Sequence, residues 1–167
     1  MNSAAPFTES DRTAVAGQLG RVPRAMRAVA HRCPCGLPDV IETSPRLPDG
    51  TPFPTLYYLT CPRATAQVGT LEASGLMRSY ADRLRSDSDF AAAYRRAHAS
   101  YLERRAELGE VPEIEGVSAG GMPTRVKCLH ALVAQALAAG PSVNPVGDDV
   151  LDRLQPWWVG GPCVPSE

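Results

Sequence analysis

Thr55-Leu56-Tyr57-Tyr58-Leu59-Thr60-Cys61-Pro62 is the stretch where the chain changes character. Its first six residues are aromatic, β-branched or aliphatic, a composition that suits a pleated, half-buried strand. Pro62 then suits the first position of a helix, because its missing N–H is one that a helix start leaves unpaired anyway. Upstream the pattern is strand-like, and downstream it is helical almost to the end. Two further strands are expected before this point, one within Arg24–Cys33 and one around Val40, Ile41 and Thr43. They are separated by Pro34-Cys35-Gly36-Leu37-Pro38 and by Pro48-Asp49-Gly50-Thr51-Pro52-Phe53-Pro54, whose Asp49-Gly50 pair is a strong turn signal. Three strands joined by two turns imply an antiparallel meander.

Beyond Pro62, apolar residues recur at helical spacing. Helices are expected over Ala64–Ser74, stopped by Gly75, over Met77–Arg85, and over Phe90–Leu108 behind the capping run Ser86-Asp87-Ser88-Asp89. A fourth is expected over Thr124–Ala139, opened by Pro123 and closed by Gly140-Pro141. A short one follows near Asp148–Leu154. Ahead of the strands, Ser10 caps an expected helix Asp11–Leu19, and residues 1–9 read as a loose leader. The fold class is therefore α+β: a small three-stranded antiparallel meander packed against four to six helices, in a single domain over 10–167.

At 167 residues the chain is long enough to bury a core without staples. Net charge is −1, so nothing draws the whole protein to nucleic acid or to an anionic membrane. Arg95, Arg96, Arg104 and Arg105 are diluted by Glu103 and Glu107, as on a solvated helix face. The first residues lack the basic start and apolar core of a signal peptide, and Leu129–Ala139 is too short to span a bilayer. The expected location is the cytoplasm, where the five cysteines stay reduced and serve as thiols or ligands.

Those cysteines carry the one candidate site. In a meander the first and third strands run the same way, so Cys33 and Cys61, at their C-terminal ends, share a rim of the sheet. Cys35 lies two residues beyond Cys33. Cys61 precedes Pro62 and so falls at a helix N-cap, where the dipole favours thiolate. His31, Cys128 and His130 could extend the group. Cys33, Cys35, Cys61, Cys128 and His130 are the candidate metal ligands, with zinc the first choice by donor type and an iron–sulfur cluster the second. The spacing is unusual: Cys33-Pro34-Cys35 is not the common two-residue knuckle. Cys128 and His130, two positions apart on a regular helix, point about 200° from each other. Against these readings stands ordinary packing, since free cysteine often fills a core as a small hydrophobe, and a histidine beside an apolar stripe is often a hydrogen-bonded core residue. His98 reads as a solvated helix residue and Cys163 as structural or incidental.

Arg32-Cys33-Pro34-Cys35-Gly36, the segment from Asp49 to Pro62, Leu71-Glu72 with Gly75, and Arg125-Val126-Lys127-Cys128-Leu129-His130 together resemble a family. It is an actinobacterial domain-of-unknown-function family, number five hundred and one. The resemblance runs from about Gln18 to Cys163 and places Cys33, Cys61, Cys128 and His130 inside the family's motif segments. It implies no activity, cofactor or catalytic residue. It does imply a gene neighbourhood with a septum-formation protein and an exopolyphosphatase-like enzyme. Three functions are open at this level: a zinc-binding or thiol-bearing protein, a non-enzymatic protein-binding module of division or envelope machinery contacting partners through Phe53, Trp157 and Trp158, and an enzyme using Cys61 as nucleophile and His130 as base.

Overall fold

The computed structural model describes residues 4–165. Three strands, β1 (Met26–Arg32), β2 (Pro38–Thr43) and β3 (Tyr57–Leu59), form one antiparallel sheet in the order β1-β2-β3. Six α-helices accompany it: α1 (Glu9–Leu19), α2 (Pro62–Ala73), α3 (Leu76–Ser86), α4 (Ser88–Leu108), α5 (Leu129–Ala139) and α6 (Pro145–Arg153). The α+β meander expected from the sequence is what forms. Its strands pair as Val29 with Ile41 and as Ile41 with Tyr58.

The sheet is covered on both faces. On the inner face Ala30, Val40, Tyr57 and Leu59 pack into a core shared with Val68 of α2, Tyr94 and Tyr101 of α4, and Leu129, Leu132 and Val133 of α5. On the outer face Met26, Val29 and Ile41 pack against Val15 of α1. Double coverage explains why every residue of β2 is buried, including Asp39 and Glu42. Charges so placed need partners. Asp39 meets His31 Nδ1 at 2.7 Å, and Glu42 takes Arg27 from β1 and Arg104 from α4. Arg104 is thereby committed, and Arg105 is buried against the carbonyls of Pro54 and Ile114, so the four arginines of α4 do not make one stripe.

Three details depart from expectation. The leader is not loose from residue 5 onward: Ala5 pairs with Val29 by two main-chain hydrogen bonds, while residues 1–3 lie outside the described residues. The cap of α1 is Thr8, not Ser10, because Thr8 and Asp11 complete a reciprocal capping box. Helix α5 starts at Leu129, not at Thr124. A turn built on Gly120 and Gly121 occupies the intervening chain, and the Met122–Pro123 peptide is cis.

Helix α5 is the centre of the helical layer, with seven residues buried. Its Gln135 donates to the Ala97 carbonyl and accepts from Asn144, whose own side-chain oxygen caps α6 through Gly147 N–H. Gly147 allows that approach: a Cβ there would stand 2.3 Å from the Leu132 carbonyl oxygen. Gly147→Ala should therefore cost about 1–3 kcal/mol in urea unfolding, since backbone has to move to admit one methyl.

On the outer face Arg32 grips the Asp11 carboxylate with two hydrogen bonds of 2.8 Å. The Arg32 guanidinium is the main reason that Asp11 sits at about 2, below its ordinary 3.8. A depressed carboxylate stabilises the fold above its ordinary value, and the benefit disappears as pH falls through the depressed one. Asp11→Asn should cost about 1–2 kcal/mol at about pH 6 and almost nothing at about pH 2, read from urea midpoints of the two proteins.

Candidate functional site

Two helices build the site. On α2, Thr65 and Glu72 are seven positions apart, about two helical turns, so they line one face. That face lies against the start of α5. Cys128 is the N-cap of α5, with extended backbone (φ −149°, ψ 108°). It is held there by the preceding turn, in which Lys127 N–H donates to the Gly120 carbonyl at 2.7 Å and Arg125 N–H to the Gly121 carbonyl at 2.8 Å. Both glycines have positive φ, and a Cβ on Gly121 would lie 2.8 Å from the Arg125 carbonyl oxygen. No other residue type fits this turn without displacing backbone.

Glu72, Cys128 and His130 come together there. One donor atom from each lies within 4.8 Å of the other two, the one such group of three potential metal-ligating side chains among the described residues. Glu72 Oε1 accepts the Leu129 N–H at 2.7 Å, satisfying a donor that the start of α5 leaves open. The same oxygen is 3.0 Å from His130 Nδ1, and His130 Nε2 is 3.1 Å from the Thr65 carbonyl oxygen. His130 and Glu72 are partly open, at 28% and 24% side-chain exposure, so solvent reaches the group.

Electrostatics follow from these contacts. Cys128 is lowered from the usual thiol range, first by His130 beside it and against the effect of burial. His130 is raised to about 9 by Cys128 first, then by Glu72 and the Thr65 carbonyl, again against burial. Each shift favours the charged form of its own group.

The other candidate residues sit elsewhere. Cys33 and Cys35 lie together in the turn after β1, where Cys35 N–H approaches the Cys33 sulfur at 3.5 Å. Burial pushes the Cys33 thiol up to about 12. Cys61 is the N-cap of α2, as its place before Pro62 implies, but burial outweighs the helix end and pushes its thiol up to about 11. Its neighbour is Cys163, which packs against the core, the structural one of the two roles expected for it. The sequence-level cluster of Cys33, Cys35, Cys61, Cys128 and His130 is thus three separate groups. All five cysteines are free thiols, and no three of them converge among the described residues. The four-thiolate set that an iron–sulfur cluster takes is therefore not assembled there.

The expected 200° between Cys128 and His130 does not arise. It assumes a helix already running through Cys128, whereas Cys128 has extended backbone and turns its side chain back over the first turn. The sequence places Glu72 only in the Leu71-Glu72 segment that carries the family resemblance and not among the candidate ligands, since it stands 57 residues before Leu129. His31 pairs with Asp39, and His98 bonds Ser118 Oγ at 2.7 Å instead of facing water. Trp157 is a core residue, while Phe53 and Trp158 are half-buried, so the three do not form an exposed aromatic face.

Beside Cys128 and His130 opens a cleft of about 240 Å³, lined also by Thr55, Tyr57, Leu59, Thr65 and Ala131. In protein treated with chelator, iodoacetamide at about pH 7 should modify Cys128 well before Cys33 and Cys61. His130→Ala should slow the Cys128 reaction about tenfold by raising its pKa, as followed by peptide mass mapping over time.

No helix among the described residues is long and apolar enough to cross a membrane. Neither the curated proteins nor the solved structures contain a match to the chain. A family profile described as a protein of unknown function (DUF501) matches residues 29–152, a span that holds β2, β3, the end of β1, Glu72, Cys128 and His130. The chain belongs to that family.

Proposed function

We propose that Glu72, Cys128 and His130 form a mononuclear zinc centre with an open coordination position toward the neighbouring cleft. One observation carries this reading. The Thr65 carbonyl can only accept, so His130 Nε2 carries a hydrogen and the ring is fixed with Nδ1 toward Glu72. A carboxylate oxygen and a ring nitrogen 3.0 Å apart would then set lone pair against lone pair unless a cation lies between them. A proton can fill that role, and so can a metal, with the Cys128 thiolate as third donor. A ligating histidine whose other nitrogen donates to a backbone carbonyl is the usual supporting arrangement at metal sites.

The donor set also suits the metal. Zinc takes sulfur, imidazole and carboxylate in a tetrahedron, which holds nitrogen and oxygen donors about 3.4 Å apart, so Glu72 and His130, at 3.0 Å, need part by only a few tenths of an ångström to admit it. Three protein ligands leave a fourth position, the hallmark of sites that bind water or substrate. Bound there, zinc would supply Lewis acidity and lower the pKa of a coordinated water. The protein's own residues orient it: Thr65 fixes the His130 tautomer, and Leu129 N–H fixes the Glu72 carboxylate. A reduced Cys128 is required, which supports a cytoplasmic setting.

A second reading has its own support. Without metal, Cys128 offers a thiol nucleophile beside the His130–Glu72 pair; with Nδ1 held by Glu72 and Nε2 by the Thr65 carbonyl, the ring acts on the thiol through its charge and not as a proton-accepting base. It replaces the Cys61–His130 pairing, because Cys61 is buried beside Cys163.

Protein purified without chelator should contain about one zinc per chain by elemental analysis. Glu72→Gln, Cys128→Ser and His130→Ala should each weaken zinc binding by at least about tenfold, while Cys33→Ser and Cys61→Ser leave it unchanged. Zinc should also block alkylation of Cys128. No zinc at any stage, with Cys128 reactive throughout, would sink the metal centre and favour the thiol nucleophile.

A further inference from the structure

The outer face of the sheet has a hollow of about 370 Å³ where α1 ends. Helix α1 closes at Leu19 with Gly20 in left-handed backbone, and residues 20–25 carry the chain on to β1. Ile41 and Thr43 of β2 and Tyr58 of β3 line the hollow from the sheet, and Phe53 lines it from the β2–β3 connection. Arg21 and Arg24 line it from the α1–β1 connection. Both arginines are exposed while Phe53 and Tyr58 are half-buried, so the hollow meets solvent on its charged side. The backbone beside Arg24 is fixed. Ala25 holds φ at 51°, a left-handed conformation that costs a residue with a Cβ, and Ser44 N–H donates to the Ala25 carbonyl at 2.8 Å. Nearby arginines are already taken, Arg27 by Glu42 and Arg32 by Asp11. Among the described residues neither Arg21 nor Arg24 has an ion-pair partner, and no residue lining the hollow is acidic. Asp49, whose carboxylate senses Arg24, lies outside the lining.

We propose that this hollow binds a small molecule that carries a phosphate monoester and one planar ring, of the mononucleotide class, with the phosphate on Arg21 and Arg24 and the ring against Phe53 and Tyr58. Charge complementarity selects the anionic end. Two guanidiniums without a carboxylate match a dianion, and their forked donors fit phosphate oxygens. The aromatic pair selects the other end, because ring faces beside the apolar Leu19, Pro23 and Ile41 suit stacking of a flat group. The volume falls in the range of small-molecule sites. Thr43 Oγ is committed to the Thr55 and Leu56 carbonyls, so stacking, and not hydrogen bonds from Thr43, holds the ring. A nucleic acid strand is the poorer match: only two cations face the hollow, and the chain carries a net charge of −1. The hollow shares only Tyr58 with the cleft beside Cys128 and calls on none of the proposed zinc ligands, so the two sites stand or fall separately.

Calorimetric titration of the full chain with adenosine 5′-monophosphate tests the proposal. About one molecule should bind per chain. Ribose 5-phosphate, adenosine and inorganic phosphate should each bind at least about tenfold more weakly, since each lacks the ring or the phosphate. Arg21→Gln and Arg24→Gln should each weaken nucleotide binding about tenfold and flatten its salt dependence. Their melting temperature and zinc content should stay unchanged, because both side chains are exposed. Phe53→Ala should weaken nucleotide binding and leave the affinity for inorganic phosphate as it was. No saturable binding of the nucleotide would overturn the proposal, and so would binding that survives the Arg21→Gln, Arg24→Gln double variant. Equal affinity for inorganic phosphate would mean an adventitious ion only. A single-stranded oligonucleotide of about ten residues that binds far more tightly than the mononucleotide would assign the arginines to nucleic acid and overturn the small-molecule site.

Discussion

Helix α5 cannot begin before Leu129, and the arrangement of the site follows from that. The Gly120-Gly121 turn returns the chain on itself, with Lys127 and Arg125 N–H groups donated back to the two glycine carbonyls. Both glycines have positive φ and no space for a Cβ, so the turn is set by sterics rather than by favourable contacts alone. The turn holds residues 125–128 outside helical backbone. Cys128 is left with extended backbone at the cap, its sulfur beside the first turn and beside His130. A helix started five residues earlier would send the two side chains to opposite faces.

The same boundary creates a demand that the rest of the fold answers. A helix start exposes unpaired N–H groups. Glu72 reaches across from α2 to take the first of them, and so brings a carboxylate to His130. The cost of capping a buried helix and the placing of the third donor are one event. The layer beneath enforces it: Ala64 and Val68 of α2 and Leu129, Leu132 and Val133 of α5 share one core, which fixes the face that α2 presents. Burial meanwhile decides against the other cysteines. Cys33 and Cys61 lie at 4% and 1% exposure, and the loss of water there outweighs whatever a helix N-terminus gives a thiolate.

The position of the sheet completes the picture. It is three strands wide, with α1 on one face and the helical layer on the other. Tyr57 and Leu59 of β3 line the same cleft as Cys128 and His130, and two residues separate the strand from the start of α2 at Pro62. Strand, cleft and ligand-bearing helix are joined within a few residues.

Local chemistry was sufficient to read the elements. Aromatic and β-branched runs with Asp49-Gly50 between them specify a meander, and Cys61-Pro62 specifies a strand-to-helix junction. Helical periodicity locates α2, α3 and α4 to within a residue or two. These features depend on neighbours in the chain, which is why they were legible. Cys128 and His130 were visible as residues, but their geometry was not, because it turns on where α5 begins. That boundary depends on hydrogen bonds closed by the glycine turn, which the favourable helical pattern of Thr124–Ala139 conceals. Glu72, the separation of Cys33 from Cys61, and the pairing of Cys61 with Cys163 were decided by tertiary structure alone. Each depends on which groups far apart in sequence are pressed together when the core excludes water, and on which of them stay in contact with it.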